Sequence, residues 1–176
     1  MIKVFCDIAD VKVIKRFNKN KIVKGFTTNP SLMRKAGAKN YSKYCKDILK
    51  ITNKPISFEV FADNNMEIID QALKIKEWGK NVYVKIPVTN SKGKFLGNPI
   101  KFLNNKNIKL NITAVYSASQ TKQILKMINK KTKLIISIFA GRAGDVGTAP
   151  IPEFKKSIQL AKNFKNVEIL WASVRE

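Results

Sequence analysis

The sequence predicts an α/β fold of the (β/α)8 TIM-barrel type, with about seven β–α units along its 176 residues. Seven short β-type runs start at intervals of 22 to 33 residues, and each gap holds a helix-like segment. Strands that alternate with helices in this way form parallel β–α–β units. Nearly every run also carries a polar residue near its C-terminal end, where barrel enzymes build their sites.

A doubly wound open sheet is the competing architecture. Its dinucleotide-binding members open with a glycine-rich first β–α turn, whereas residues 7–10 read Asp-Ile-Ala-Asp. The predicted strands span residues 2–8, 24–28, 56–61, 81–87, 108–115, 134–140 and 167–173. The polar residues at their ends are Asp7, Thr27, Thr28, Asn29, Glu59, Lys85, Asn111, Thr113, Ser137, Ser173 and Arg175. We favour the barrel because it would point these side chains toward one centre.

The intervening segments show helix signals. The clearest predicted helix spans residues 63–78, with Asp63 or Asn64 as its cap and Gly79 at its end. Its predicted apolar stripe consists of Met66, Ile69, Ala72 and Leu73. A later helix over residues 152–164 is predicted to carry Pro152 at its first position.

The chain ends three residues after the seventh predicted strand, whereas a closed barrel needs an eighth. We therefore expect residues 1–176 to form a single, incomplete barrel domain that lacks the eighth strand and the helix after it. A fragment or a split-gene product would have this form. The edges of the first and seventh strands would then be open to association.

The formal net charge of +22 raises the possibility of nucleic-acid binding. However, 30 Lys, 22 Ile and 17 Asn share A/T-rich codons, so a low-GC genome would enrich all three together. The lysines are scattered at helical spacings and form no basic stripe interleaved with aromatic residues. We therefore expect no specific nucleic-acid binding, and only loose electrostatic association at low salt.

Other classes are excluded by simpler features. No apolar stretch approaches the length of a bilayer span, and no signal-peptide pattern is present, so we expect no membrane partner. The absence of His excludes His-based triads and most zinc or iron sites. The two cysteines, Cys6 and Cys45, form no metal-ligand spacing and no disulfide framework. We expect a soluble cytoplasmic protein.

Lys85 is the sharpest chemical feature. It interrupts the otherwise apolar run Val-Tyr-Val-Lys-Ile-Pro at residues 82–87. Burial there would favour the neutral amine, which is a nucleophile that forms Schiff bases with ketones. The alternative is a strand-end lysine whose ammonium group reaches solvent.

Two carboxylates and two arginines complete the candidates. Asp7 and Glu59 lie among apolar residues, so we expect both to be buried and to serve proton transfer, unless they form structural ion pairs with lysines. Arg142 and Arg175 follow the sixth and seventh strands and form a plausible phosphate clamp. The alternative is that Arg142 pairs with Asp145 and only holds its loop.

Taken together, these motifs resemble the transaldolase family, in order and spacing along the whole chain. The most specific are Thr-Thr-Asn-Pro at 27–30 and Lys-Ile-Pro at 85–87. The others are Asp-Ile-Ala at 7–9, Ser-Phe-Glu-Val at 57–60, Asn-Ile-Thr at 111–113, Phe-Ala-Gly-Arg at 139–142 and Ala-Ser-Val-Arg at 172–175. The short single-domain transaldolases, which group with the fructose-6-phosphate aldolases, are most similar.

The resemblance implies a class I aldol mechanism without metal or cofactor, acting on a small-molecule sugar phosphate. Lys85 would be the Schiff-base lysine and Asp7 the acid/base, while Glu59 and Thr113 would hold a water molecule. The implied substrate-binding residues are Thr28, Asn29, Asn111, Ser137, Phe139, Arg142, Ser173 and Arg175. A full-length form would be a homo-oligomer.

Two positions discriminate within the family. The fructose-6-phosphate aldolases carry Gln at the position of Glu59 and Tyr at that of Phe139, so this chain resembles the enzymes that transfer a dihydroxyacetone unit. The alternatives are aldol cleavage without an acceptor, and an inactive remnant that binds polyanions without specificity. Ile138 and the loop at residues 145–150 depart from the family pattern, which leaves the substrate preference open.

Overall fold

A computed structural model describes residues 2–175 of the chain. In these residues, seven strands alternate with eight helices. The strands are β1 (Val4–Asp7), β2 (Val23–Thr27), β3 (Ile56–Glu59), β4 (Val82–Pro87), β5 (Leu110–Val115), β6 (Leu134–Phe139) and β7 (Val167–Ala172). The helices are α1 (Val11–Asn18), α2 (Pro30–Lys35), α3 (Tyr41–Leu49), α4 (Asn65–Lys76), α5 (Gly97–Asn105), α6 (Ala118–Met127), α7 (Ala140–Asp145) and α8 (Pro150–Ala161).

All seven strands are parallel, and they pair in chain order from β1 to β7. Each step between neighbours crosses over through at least one helix, which is the connectivity of a (β/α)8 barrel. The predicted fold class is confirmed as a partial barrel. Because the strands run in one direction, their C-terminal ends share one edge of the sheet, where the predicted site residues lie.

The sheet is open between β1 and β7. An apolar cleft of about 900 Å³ separates these strands, and Ile135, Phe154 and Trp171 contribute to its lining. An ion pair of 2.6 Å between the side chains of Lys3 and Glu168 spans the opening. The two edge strands are only partly buried, whereas the first five residues of the central strand β4 are all buried.

The predicted strand boundaries are one or two residues too long at several ends. At β5 the reason is visible in the preceding turn. The backbone N–H of Ile108 donates to the carbonyl oxygen of Leu103 and closes helix α5, and Asn107 has a φ of 60°. Asn107 and Ile108 form the turn that ends helix α5, so the strand begins only at Leu110.

The helix over residues 63–78 is confirmed in place but not in orientation. Its buried residues are Ile68, Ala72 and Ile75, which follow the i, i+4, i+7 spacing of one helix face. Of the predicted stripe, Ala72 is buried and Ile69 packs partly buried against the core, whereas Met66 and Leu73 are 79% and 39% exposed, so the prediction was wrong at those two positions. The chain turns the face with two β-branched residues toward the sheet.

The structure selects one of the two predicted caps of α4 and corrects the predicted start of α8. Asn64, not Asp63, caps α4, because Asp63 instead accepts hydrogen bonds from the backbone and side chain of Ser91. Helix α8 begins at Pro150, so Pro152 lies at its third position. Among residues 2–175, the structure contains no helix with the length and apolar character that a bilayer crossing requires.

The orientation of α4 can be tested with two substitutions on the same helix. We expect Ile68→Ala to lower the free energy of unfolding by about 2 to 5 kcal/mol, because it leaves a cavity against the sheet. Met66→Ala is the matched control and should change it by less than about 0.5 kcal/mol. Urea unfolding followed by circular dichroism measures both. Equal losses in the two variants would contradict the observed orientation.

Candidate active site

A pocket of about 470 Å³ lies at the C-terminal edge of the sheet. It is bounded by the ends of strands β3 to β6 and by the helices that follow β2 and β6. Its lining residues are Asn29, Ser31, Leu32, Lys35, Glu59, Lys85, Thr113, Ala114, Phe139 and Arg142. Six of the twelve predicted site residues therefore share this pocket.

Lys85 and Glu59 form the buried centre of the pocket. They are register partners on the adjacent strands β3 and β4, so their side chains leave the same face of the sheet. The Lys85 Nζ lies 3.3 Å from Oε2 of Glu59 and donates a hydrogen bond of 3.1 Å to the carbonyl oxygen of Thr28. Lys85 is only 7% exposed, so the carboxylate supplies the counter-charge that a buried ammonium requires.

The pKa of Glu59 is raised, chiefly because burial disfavours the carboxylate. The charge of Lys85 opposes that shift, and the nearby carboxylate of Asp7 adds to it. The backbone of Glu59 is held by Tyr41, whose hydroxyl donates to its carbonyl oxygen at 2.8 Å and accepts from its N–H at 2.9 Å. The ring of Tyr41 packs edge-on against the ring of Phe61, and this contact keeps the Tyr41 hydroxyl beside the backbone of Glu59.

Thr113 presents a free hydroxyl to the pocket. Its Oγ1 is buried and has no hydrogen-bond partner within residues 2–175. The next residue, Ala114, has a φ of 56°, and the pairing of β5 with β6 shifts register after Ile112. Buried hydroxyls are nearly always paired with protein or water, so this one is available to a water molecule or a substrate.

Asp7 is exposed, and the prediction that it is buried was wrong. The reason is its place on β1, which has a neighbouring strand on one side only in the described residues. Its Oδ1 accepts a hydrogen bond of 2.7 Å from the hydroxyl of Thr27. Asp7 does not line the pocket, but its charge acts on Glu59.

Three predicted substrate-binding side chains are engaged by the protein. The Asn111 side-chain amide donates to Oγ of Ser57 at 2.9 Å and accepts from Oγ of Ser137 at 2.7 Å. The Thr28 hydroxyl donates to the Ser57 carbonyl oxygen, and its own carbonyl contacts Lys85. All three are buried beneath the pocket and are absent from its lining. Their contact with a substrate stays a prediction.

Arg142 reaches the pocket from the N-terminal half of α7. Its guanidinium lies 5.2 Å from the centroid of the Phe139 ring, which packs edge-on against Tyr116. Asn29, on the opposite wall, accepts from the backbone N–H of Leu32 and so caps α2. Its side chain is thereby fixed at the rim.

Arg175 and Ser173 lie beyond the pocket lining, at the end of β7. The Nε of Arg175 donates to both carboxylate oxygens of Asp145, at 3.0 and 3.1 Å, and Nη2 donates at 2.6 Å. Its Nη1 donates to the backbone oxygen and to Oγ of Ser173. Asp145 therefore pairs with Arg175, and not with Arg142 as the loop-holding alternative required.

Gly141 allows this close approach of α7 to the end of β7. A Cβ at this position would lie 1.7 Å from the backbone oxygen of Ser173, so any side chain would force the two segments apart. Ser173 itself has a φ of 59°, which turns the chain at the strand end. The glycine between Phe139 and Arg142 is thus a packing requirement.

The predicted set lacks four of the ten lining residues, Ser31, Leu32, Lys35 and Ala114, and it also lacks Tyr41. Lys35 and Ser31 line the pocket from α2, four residues apart on one helix face. The helical spacing after the Thr-Thr-Asn-Pro turn could have identified them. Tyr41 was also missed, because its contact with Glu59 joins residues 18 positions apart without a local motif.

A family model described as Transaldolase/Fructose-6-phosphate aldolase matches residues 4–176, which contain every residue of this pocket. The chain belongs to this family. The resemblance found in the sequence motifs is thereby confirmed.

Two similar proteins carry the same family name. A "Probable transaldolase" of Herpetosiphon aurantiacus is 33% identical over 174 residues, which cover 98% of this chain and 75% of that protein. A "Probable transaldolase" of Clostridium kluyveri is 34% identical over 175 residues, which cover 98% of this chain and 77% of that one.

The fold of this chain is also similar to that of a solved structure. The 4-hydroxy-tetrahydrodipicolinate synthase of Methylacidiphilum fumariolicum SolV superposes with a TM-score of 0.58 at 10% identity. The match covers 98% of this chain and 69% of that one. At this identity the likeness shows the fold alone.

The raised pKa of Glu59 predicts a specific pH dependence. The folded protein binds the proton of the Glu59 carboxyl more tightly than the unfolded chain does, in which the pKa of a glutamate is about 4.3. The stability that Glu59 contributes below that value is therefore lost as the pH rises through the raised pKa. We expect the free energy of unfolding of the wild type, relative to Glu59→Gln, to fall between about pH 4 and neutrality.

Urea unfolding of both proteins across this pH range measures the difference, in which the titrating groups remote from Glu59 cancel. A difference that stays constant or increases with pH would contradict the raised pKa.

Proposed function

We propose that this chain catalyses a transaldolase-type class I reaction, in which a dihydroxyacetone unit is transferred between sugar phosphates through a Schiff base on Lys85. The observation that carries the proposal is the position of the Lys85 amine. It is buried from bulk solvent, lies 3.3 Å from the Glu59 carboxylate and lines a polar pocket. Membership of the transaldolase family supports it.

The first step forms the Schiff base. Lys85 gives up a proton to Glu59, whose carboxylate lies 3.3 Å from the amine. The raised pKa of Glu59 makes its carboxylate a stronger base for this transfer. The amine nitrogen then adds to the ketone carbon C2, and the carbonyl oxygen takes up a proton to give a carbinolamine. Loss of water from this adduct leaves a protonated imine, and Glu59 and Thr113 hold a second water molecule that serves this dehydration.

The second step breaks the C3–C4 bond. Asp7 accepts the proton of the C4 hydroxyl, the bond electrons move into the protonated imine, and the aldehyde product leaves. The enamine that remains on Lys85 adds to the aldehyde carbon of an acceptor and forms a new carbon–carbon bond, while the aldehyde C=O π electrons move to the oxygen, which takes the proton back from Asp7. Hydrolysis of the resulting imine releases the new ketose and regenerates the amine.

The phosphate end of the sugar is assigned to Arg142, with Ser173 and Arg175 beyond it. Arg142 lies in the pocket lining and pairs with no carboxylate among residues 2–175. Its cation–π contact with Phe139 fixes the direction of the guanidinium, which is the side chain suited to bidentate phosphate recognition.

Borohydride trapping tests the Schiff base. Intact-protein mass is measured after incubation with dihydroxyacetone or fructose 6-phosphate and borohydride. We expect one adduct with the mass of a reduced dihydroxyacetone unit in the wild type and none in Lys85→Met. Lys109→Met is the control, because Lys109 lies outside the pocket lining and burial lowers the pKa of its own amine.

Trapping that persists in Lys85→Met, or that is lost in Lys109→Met, would contradict the assignment. Asp7→Ala should slow turnover but keep the adduct with dihydroxyacetone, since its proposed role comes after imine formation. Loss of that adduct in a folded Asp7→Ala protein would remove Asp7 from the proposed role.

The second candidate is aldol cleavage without an acceptor, which the family name includes. Glu59 and Phe139 both line the pocket, and both differ from the Gln and Tyr that the aldolases carry at these positions. We expect wild-type turnover of fructose 6-phosphate to require an acceptor aldehyde. The double variant Glu59→Gln/Phe139→Tyr should release glyceraldehyde 3-phosphate without one. Equal acceptor dependence in both proteins would contradict this role of the two positions.

A further inference from the structure

All three guanidinium nitrogens of Arg175 form hydrogen bonds within the protein in the absence of a substrate. Each of its three guanidinium nitrogens already donates to a protein acceptor, two to Asp145 and one to Ser173. The resemblance assigns Arg175 and Ser173 to the phosphate group, but here each is the partner of the other. A phosphate that uses the Nε–Nη2 edge of Arg175 must first displace a carboxylate from it.

Asp145 also lies within the electrostatic reach of the other arginine. Arg142 helps to lower the pKa of the Asp145 carboxyl, after the larger effects of Arg175. The protein's own carboxylate thus lies beside both cations of the proposed phosphate site. Its two carboxylate oxygens accept two hydrogen bonds from one edge of a guanidinium. Two oxygens of a phosphate group can accept the same two hydrogen bonds.

The Asp145–Arg175 contact can be displaced. Both side chains are about half exposed, at 47% and 48%, and exposed ion pairs of this kind contribute little to stability. Asp145 is the last residue of the short helix α7, and Gly147 with a φ of 74° follows in the next turn. Rotation of one side chain would free the guanidinium.

We propose that Asp145 determines the preference of this site for phosphorylated over unphosphorylated sugars, by competing with the phosphate group for Arg175. The inference rests on the proposed function, because that function places the phosphate end here. An unphosphorylated donor leaves the Asp145–Arg175 pair intact. A phosphorylated donor must break the pair and then sits beside the displaced carboxylate, whose like charge opposes it. Asp145 therefore weakens binding of the phosphate end and leaves the dihydroxyacetone end untouched.

The test compares Asp145→Asn with Asp47→Asn in the full chain. Asp47→Asn is the matched control: it removes the same charge from an exposed Asp–Lys pair of 2.7 Å on α3, outside the pocket lining. Calorimetric titration with inorganic phosphate should show binding about tenfold tighter in Asp145→Asn, as expected for loss of a like charge at close range. Asp47→Asn should match the wild type. Asp145→Glu restores the charge and should return phosphate affinity toward the wild-type value.

Schiff-base trapping supplies the second readout. In Asp145→Asn, the concentration of fructose 6-phosphate that half-saturates trapping should fall about tenfold relative to that of dihydroxyacetone. In the double variant Asp145→Asn/Arg175→Gln the gain in phosphate affinity should disappear. Phosphate affinity that is unchanged or weaker in a folded Asp145→Asn protein would overturn the proposal, and weaker binding would show that Asp145 positions Arg175 for phosphate.

The two proposals fail in different ways. Absence of a Lys85-dependent adduct in the wild type would reject the proposed Schiff-base function. The phosphate titration does not depend on that chemistry, and it tests the competition between Asp145 and phosphate in either case.

Discussion

The contact between Lys85 and Glu59 places two opposite charges inside a parallel sheet, and the surrounding structure is arranged to keep them there. A buried charge without a partner is strongly destabilising, so each of these two charges stabilises the other. The pair depends on the register of β3 against β4, which sets the two side chains opposite each other. Tyr41 fixes the backbone of Glu59, and the carbonyl of Thr28 takes a hydrogen bond from the ammonium. The same features leave the amine at the base of an open pocket.

Beneath the pocket, a second layer of polar side chains is closed on itself. Asn111 on β5 links Ser57 of β3, two strands away in the sheet, to Ser137 of the adjacent strand β6 through two hydrogen bonds. Buried polar networks of this kind are favourable only when each member is paired. The layer therefore supports the strands that carry Lys85 and Thr113, and Thr113 is left with the unpaired hydroxyl. The hydrogen-bonded layer around Asn111 thus supports the strands, and the layer above it, which contains Lys85 and Thr113, lines the pocket.

At the far rim, α7 and the end of β7 meet over Gly141, and that contact brings Arg175 to Asp145. The rim is exposed, so its ion pair is screened and exchangeable, in contrast to the buried pair at the centre. This difference in burial gives the two ends of the site different properties. At the centre the two charges stabilise each other, and at the rim the proposed competition would exchange one anion for another.

The sequence by itself determined the fold class and six of the ten residues that line the pocket, because both depend on local pattern. Strand and helix periods identify parallel β–α units, and a charged residue such as Lys85 stands out within an apolar strand. Only the tertiary structure decided how exposed each residue is and which group it contacts. Asp7 is exposed because β1 is an edge strand, and Arg175 binds Asp145, 30 residues away, because α7 packs on β7. Burial and pairing depend on neighbours that are distant in the chain, and no local spacing encodes them.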